Sequence, residues 1–153
     1  MEEWLQISKF LITLIAVAGL YIARQQYVVN KTKIRLELYD KRFGIYHSIV
    51  TIFENMLCDE KVNEKLFFAF ETSCNEARFL LPDKVLNDVT QARSLAYKWK
   101  RLNRELVAFE RKNLSSDNVD VVKNKMIALE EEIESFIDPM TKSFSTVLKF
   151  EKF

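Results

Sequence analysis

The segment WLQISKFLITLIAVAGLYIA, from Trp4 to Ala23, constrains this chain more than any other part of it. As a helix rising about 1.5 Å per residue, its 20 residues span about 30 Å, the thickness of a bilayer's hydrocarbon core. Phe10 to Ala23 carries no charge. The one ionisable residue inside the segment, Lys9, sits near its N-terminal end, where a long stem can reach the interface. Trp4 and Tyr21 stand near the two ends, as interfacial aromatics do. The expectation is a membrane anchor in residues 1–30 that includes Trp4, Phe10, Gly19, Tyr21 and Ala23.

Two other readings compete with the anchor. A cleaved signal peptide asks for a basic N-terminal region, whereas this chain opens Met1-Glu2-Glu3. Its Ala16-Val17-Ala18 triplet resembles a cleavage site, yet apolar sequence continues to Ala23. The buried helix of a soluble protein is the other competitor, since the uncharged run holds only 14 residues.

Basic residues set the expected orientation. Arg24, Lys31, Lys33 and Arg35 follow the span, against Glu2, Glu3 and Lys9 before it. The positive-inside rule then puts the N-terminus outside and residues 24–153 in the cytoplasm. Gly19 and Ala23 form one small-xxx-small pair, a spacing that lets two spans approach closely. From Arg24 to Arg42 run six basic and two acidic residues. This collar, with Arg24, Lys31, Lys33, Arg35, Asp40, Lys41 and Arg42, suits anionic headgroups or a partner, and serves equally as a topology signal.

Beyond the span, Gly and Pro occur twice each in 153 residues, too rarely to punctuate strands and tight turns. Residues 31–153 therefore read as an all-α domain. Leu36, Tyr39, Phe43, Tyr46, Val50, Phe53 and Leu57 recur at alternating spacings of three and four, with no breaker separating them from the anchor. One long helix to about Leu57 is expected, with that stripe inward. Gly44 falls inside it, where close approach of another helix or chance accounts for it.

A second helix is expected over Asn63–Leu81, burying Leu66, Phe67, Phe70, Cys74, Ala77 and Leu81, with Pro82 stopping it. Asp83 is expected to cap a third helix with Ala92, Leu95, Trp99, Leu102, Leu106 and Phe109 inward. After a polar turn at 113–118, a fourth opens near Asp117, with Asp120 completing a cap-like pair. Its stripe is Val119, Val122, Met126, Leu129, Ile133, Phe136 and Met140. Asp138-Pro139 is expected to divide off a terminal helix holding Phe144, Val147 and Phe150. Short connections favour an antiparallel bundle.

Chemistry-bearing patterns are scarce. His47 is the single histidine, so HExxH zinc sites and paired ExxH iron motifs are excluded. No phosphate-binding loop, dinucleotide turn or GxSxG elbow occurs. Cys58 and Cys74 read as reduced, buried thiols without CxxC spacing. No catalytic residue, metal or cofactor is expected. The net charge of +1 argues against a nucleic-acid partner. The stretch YKWKRLNRELVAFERK does interleave aromatics with cations, but Trp99 lies on the apolar stripe. Between Asp117 and Asp138 acidic residues outnumber basic ones seven to two, so opposite charges are expected to flank the seam between the third and fourth helices.

The stretch ARQQYVVNKTKIRLELYDKRFGIY resembles a set of small uncharacterised bacterial inner-membrane proteins with one N-terminal helix and a Tyr-Asp-Lys-Arg-like motif. EARFLL in the second helix and the C-terminal VLKFEKF extend the likeness. Leu81-Pro82-Asp83 departs from it, standing where a Phe-Gly-type turn belongs. The resemblance implies a single-pass topology in a bacterial inner membrane and brings no activity with it. Within the motif, Asp40, Lys41 and Arg42 are candidates to pair with Glu76 or Arg78, or to remain ordinary surface ions. The expected function is a membrane-tethered interaction module whose partners are lipid, another protein or a second copy of the chain, with no small-molecule substrate. The alternative is an oligomerising membrane effector that perturbs the bilayer.

Overall fold

A computed structural model describes residues 2–58, 63–111 and 116–149; for 2–9, 13, 110 and 116–118 it describes the backbone alone. Four helices follow one another: α1 (Glu2–Cys58), α2 (Glu64–Leu80), α3 (Asp83–Arg111) and α4 (Ser116–Leu148). No strand occurs among the described residues, so the fold is all-α. The chain divides into two compact units, Met1–Tyr39 and Asp40–Phe153.

The first unit is the N-terminal part of α1. No Pro interrupts residues 2–58, and the helix continues through both Gly19 and Gly44. Every described side chain from Phe10 to Glu37 is exposed. Phe10 is 71% and Leu20 73% accessible. This is the one described helix long and apolar enough to cross a membrane.

The second unit is a bundle, and its pairings give the helix directions. Across α2 and α3, Glu64 meets Lys100 and Glu71 meets Arg93, so numbers rise on one helix as they fall on the other. Lys98 meets Glu132 across α3 and α4. Tyr46 packs on Phe144, and Phe53 on Phe136, across α1 and α4. Successive helices are antiparallel, the up-down arrangement that short connections favour. Between them lies one core that includes Ile49, Phe53, Phe70, Trp99, Ile133 and Phe144. Each such aliphatic or phenyl side chain contributes about 1.5–3 kcal/mol by leaving water.

The inward stripe of α1 differs from the expected one. Ile45, Ile49, Ile52, Phe53 and Met56 are buried, whereas Tyr46, Val50 and Leu57 are half-buried and Leu36 and Phe43 exposed. Two neighbouring stripes share the spacing of three and four, and periodicity does not choose between them. The compact aliphatic stripe enters the core. Tyr46 stays at the edge, where its hydroxyl lies 3.2 Å from that of Thr141. The stripes expected for the other helices hold more closely. Phe67, Phe70, Cys74 and Ala77 of α2, Ala92, Leu95 and Trp99 of α3, and Val122 to Met140 of α4 turn inward. Leu66, Leu102, Leu106, Phe109 and Val119 are half-buried, and Phe150 lies outside the described residues.

Local signals account for most helix ends. Asn63 caps α2, its side chain accepting from the amides of Lys65 and Leu66. Leu81 takes an extended conformation ahead of Pro82, as residues before proline do. Asp83 is the first residue of α3 rather than its cap. The carbonyl of Pro82 accepts from Val85 and Leu86, so the proline holds the capping position.

The expected break at Asp138-Pro139 is absent, and α4 runs through Pro139 to Leu148. Pro139 is exposed, so the hydrogen bond it cannot donate is lost on the wet side. Phe136, Met140 and Phe144 keep their register and are buried on both sides of it. Packing on both flanks outweighs one missing bond.

Candidate functional site

The residues expected to form an anchor lie as the helical spacing dictates. Phe10, Leu14, Val17, Ala18 and Tyr21 share one face of α1 and outline a shallow apolar groove of about 500 Å³. Gly19 and Ala23, four apart, fall on the opposite face, and nothing stands within 4 Å of a Cβ placed on Gly19. The amide of Gln25 donates to the Tyr21 hydroxyl over 3.1 Å, one turn further along α1. Trp4 belongs to α1, and its side chain lies outside the described residues.

The collar is less uniform than its sequence. Arg24, Lys31 and Arg35, spaced seven and four apart, share a helix face and are exposed. Lys33 points the other way and approaches Glu37 at 4.0 Å. Asp40 and Lys41 are exposed at the start of the bundle. Arg42 does something its neighbours do not. Its Nε donates to the Leu80 carbonyl over 2.9 Å and its Nη1 to the Val147 carbonyl over 3.3 Å. One guanidinium thus caps the C-terminal ends of both α2 and α4, where the helix dipoles favour a cation. The expected partners Glu76 and Arg78 are instead exposed on α2. Carbonyls at a helix end have no intrahelical donor, and two such ends meet at Arg42.

The two cysteines differ. Cys74 is buried, and desolvation, reinforced by Glu71, pushes its thiol up to about 12. Such a thiol is inert at neutral pH. Cys58, expected to be buried, is exposed at the end of α1. His47 is exposed and lies parallel to the Phe43 ring, 6.2 Å between centroids. Among the described residues no three of His, Cys, Asp and Glu gather in a metal-binding group.

A concavity lies in the bundle, a groove of about 1240 Å³ walled by α2 and α4 around α3. Ion pairs border it. Lys100 Nζ lies 2.7 Å from Glu64 and 3.9 Å from the centre of the Phe67 ring. The bond from Lys100 holds the Glu64 carboxyl below the usual carboxylate range. Glu71 binds Arg93 through both oxygens, one of them 3.1 Å from Nε, and raises the guanidinium's pKa further. The Lys98–Glu132 pair, at 3.8 Å, is the expected opposite-charge contact across α3 and α4. The basic residues of α3 thus serve two seams, since Arg93 and Lys100 turn to α2. Tyr97 stands edge-on to Phe67 at 5.3 Å. Phe68, beside it in sequence, is 75% accessible.

Sequence reasoning passed over Phe68. The available signal was its place off the apolar stripe, one residue beyond Phe67, where an aromatic has no core to enter. Neither a family model, nor a curated protein, nor a solved structure matches this chain.

Proposed function

We propose that this chain is a membrane-tethered interaction module. In this reading the first part of α1 spans a bacterial inner membrane with its N-terminus outside, and the bundle binds a protein partner in the cytoplasm. One observation carries it. The described side chains of the uncharged run from Phe10 to Ala23 are exposed, while the bundle buries its own apolar stripes. An apolar helix that finds no protein cover needs another apolar phase, and a bilayer supplies one. The exposed cations Arg24, Lys31 and Arg35 beyond the run support a cytoplasmic bundle. The likeness of residues 23–46 to bacterial single-pass proteins supports the inner membrane as that bilayer.

Labelling of Cys58 tests tether and orientation together. A membrane-impermeant maleimide is expected to spare Cys58 in intact spheroplasts and to label it in inverted vesicles, with the chain resisting alkaline carbonate extraction. Labelling in spheroplasts overturns the orientation. Release by carbonate overturns the tether. Loss of membrane potential on overexpression, persisting after deletion of the bundle, would support a bilayer effector instead.

A further inference from the structure

We propose that the groove around α3 docks an acidic, amphipathic helical segment of a protein partner. This inference rests on the interaction-module reading and adds where the partner sits and by what chemistry it is held.

Charge is the first argument. The three carboxylates that line the groove are already engaged: Glu64 by Lys100, Glu71 by Arg93 and Glu132 by Lys98. The remaining lining cations are not matched in this way. Arg101, its side chain 80% accessible, meets Glu105 of its own helix at 3.4 Å. Arg104 and Lys125 are exposed and form no ion pair among the described residues. Arg104 lies on α3, where its charge also acts on Glu64, and Lys125 lies on α4, so the groove presents positive charge beyond its ion pairs from two sides. A partner bearing carboxylates gains from that field both in affinity and in the rate of encounter.

Apolar chemistry is the second argument. Between the cations lie Phe68, Tyr97, Leu102, Ala128 and Leu129. Phe68 is 75% and Tyr97 48% accessible, large rings left in water by the chain itself. Aromatic and arginine side chains in one concavity form the composition on which protein interfaces concentrate their binding energy. An occupant carrying charge alone would leave these rings uncovered.

Size and shape choose the form of the occupant. Enclosed sites for small molecules measure about 300–1,000 Å³. This groove, at about 1240 Å³, is larger, and its lining comes from three helices. Leu102 and Leu129 at its base suit apolar anchors three and four residues apart on a helix laid along α3, with carboxylates on the flanks. A nucleic-acid backbone fits less well, because the chain as a whole carries a net charge of only +1.

Site-specific photocrosslinking in cells, with the full-length chain, tests this. p-Benzoylphenylalanine is placed at Phe68, at Tyr97 and, as a control about 16 Å further along α2 and outside the groove lining, at Phe79, which is 89% accessible. The expected result is an adduct from Phe68 and Tyr97 but not from Phe79, joined to a protein segment with acidic residues at helical spacing. Reversing the three cations together, Arg101→Glu, Arg104→Glu and Lys125→Glu, is expected to lower the adduct yield by at least about tenfold. The charge-conserving set Arg101→Lys, Arg104→Lys and Lys125→Arg is expected to retain it. Circular dichroism of both sets keeps unfolding apart from lost binding. Adducts on a basic segment, on RNA or on a second copy of this chain overturn the proposal, as does a yield indifferent to charge reversal. Adducts from Phe79 alone overturn the groove while leaving an interaction module that uses another part of its surface. No adduct from any position, in a chain that carbonate still leaves in the membrane, overturns both groove and module but spares the tether.

Discussion

Arg42 shows how much one side chain can hold in place. Its fork reaches two carbonyls 67 positions apart in the chain, Leu80 and Val147, and so ties α1 to the ends of α2 and α4. Replacing it by Met removes both bonds and the cation that the two helix dipoles face. Arg42→Met is expected to lower stability by about 1–3 kcal/mol, read from the urea midpoint of the purified protein. Arg42→Lys is expected to recover only part of that, because an ammonium lacks the planar fork. Full recovery by Lys would show that charge alone matters there. Cys74 makes a second point at this scale. Its thiol is pushed from an ordinary 9.0 to about 12, so between those values the unfolded chain binds fewer protons than the folded one. Stability from this group is therefore intact below pH 9 and falls as pH rises toward 12. At pH 8 a thiol reagent is expected to modify exposed Cys58 rapidly and Cys74 only on unfolding, a contrast that peptide mapping reads directly. Equal rates would mean that α2 opens readily.

At the scale of the element, α1 combines two environments in one uninterrupted helix, exposed and apolar at one end and packed at the other. Gly44 lies just inside the packed part. Nothing stands within 4 Å of a Cβ built on it, so no close helix approach explains it among the described residues. Gly44→Ala is accordingly expected to stabilise the protein by about 0.5–1 kcal/mol, measured as a rise in the denaturation midpoint. A fall would reveal a contact that the isolated chain does not make, such as a bound partner. The neighbouring helices carry the opposite lesson. Proline stops one helix at Pro82, while Pro139 is absorbed inside another, and the difference lies in what surrounds each. Before Pro82 the chain is already extended at Leu81, whereas Met140 and Phe144 hold the turns after Pro139 against the core.

For the whole molecule, the division at Tyr39–Asp40 separates two kinds of folding. The bundle has its own continuous core and needs no residue before Asp40 for it, since every buried residue of that core lies at or beyond Ile45. A fragment of residues 40–153 is expected to dissolve without detergent, to give a helical circular dichroism spectrum and to unfold in one cooperative transition. The full chain is expected to require detergent. A fragment that lacks cooperative unfolding would show that the first unit contributes to the bundle's stability.

Much of this was legible in the residues. The apolar run, the scarcity of Gly and Pro, and the periodic stripes of α2, α3 and α4 determine an all-α chain with one span-like helix, because burial and hydrogen bonding act over a few turns and leave local periodicities. The candidate site was legible only in fragments. The basic, aromatic stretch of α3 stood out, but Phe68 and Lys125 did not, since their meeting depends on helices distant in sequence. Likewise the choice between two α1 stripes, the continuity of α4 through Pro139 and the double cap by Arg42 belong to the tertiary structure. Each turns on a neighbour brought close by packing: the surface that accepts Ile49 rather than Val50, the core that grips both sides of a proline, and two helix ends that converge on one guanidinium.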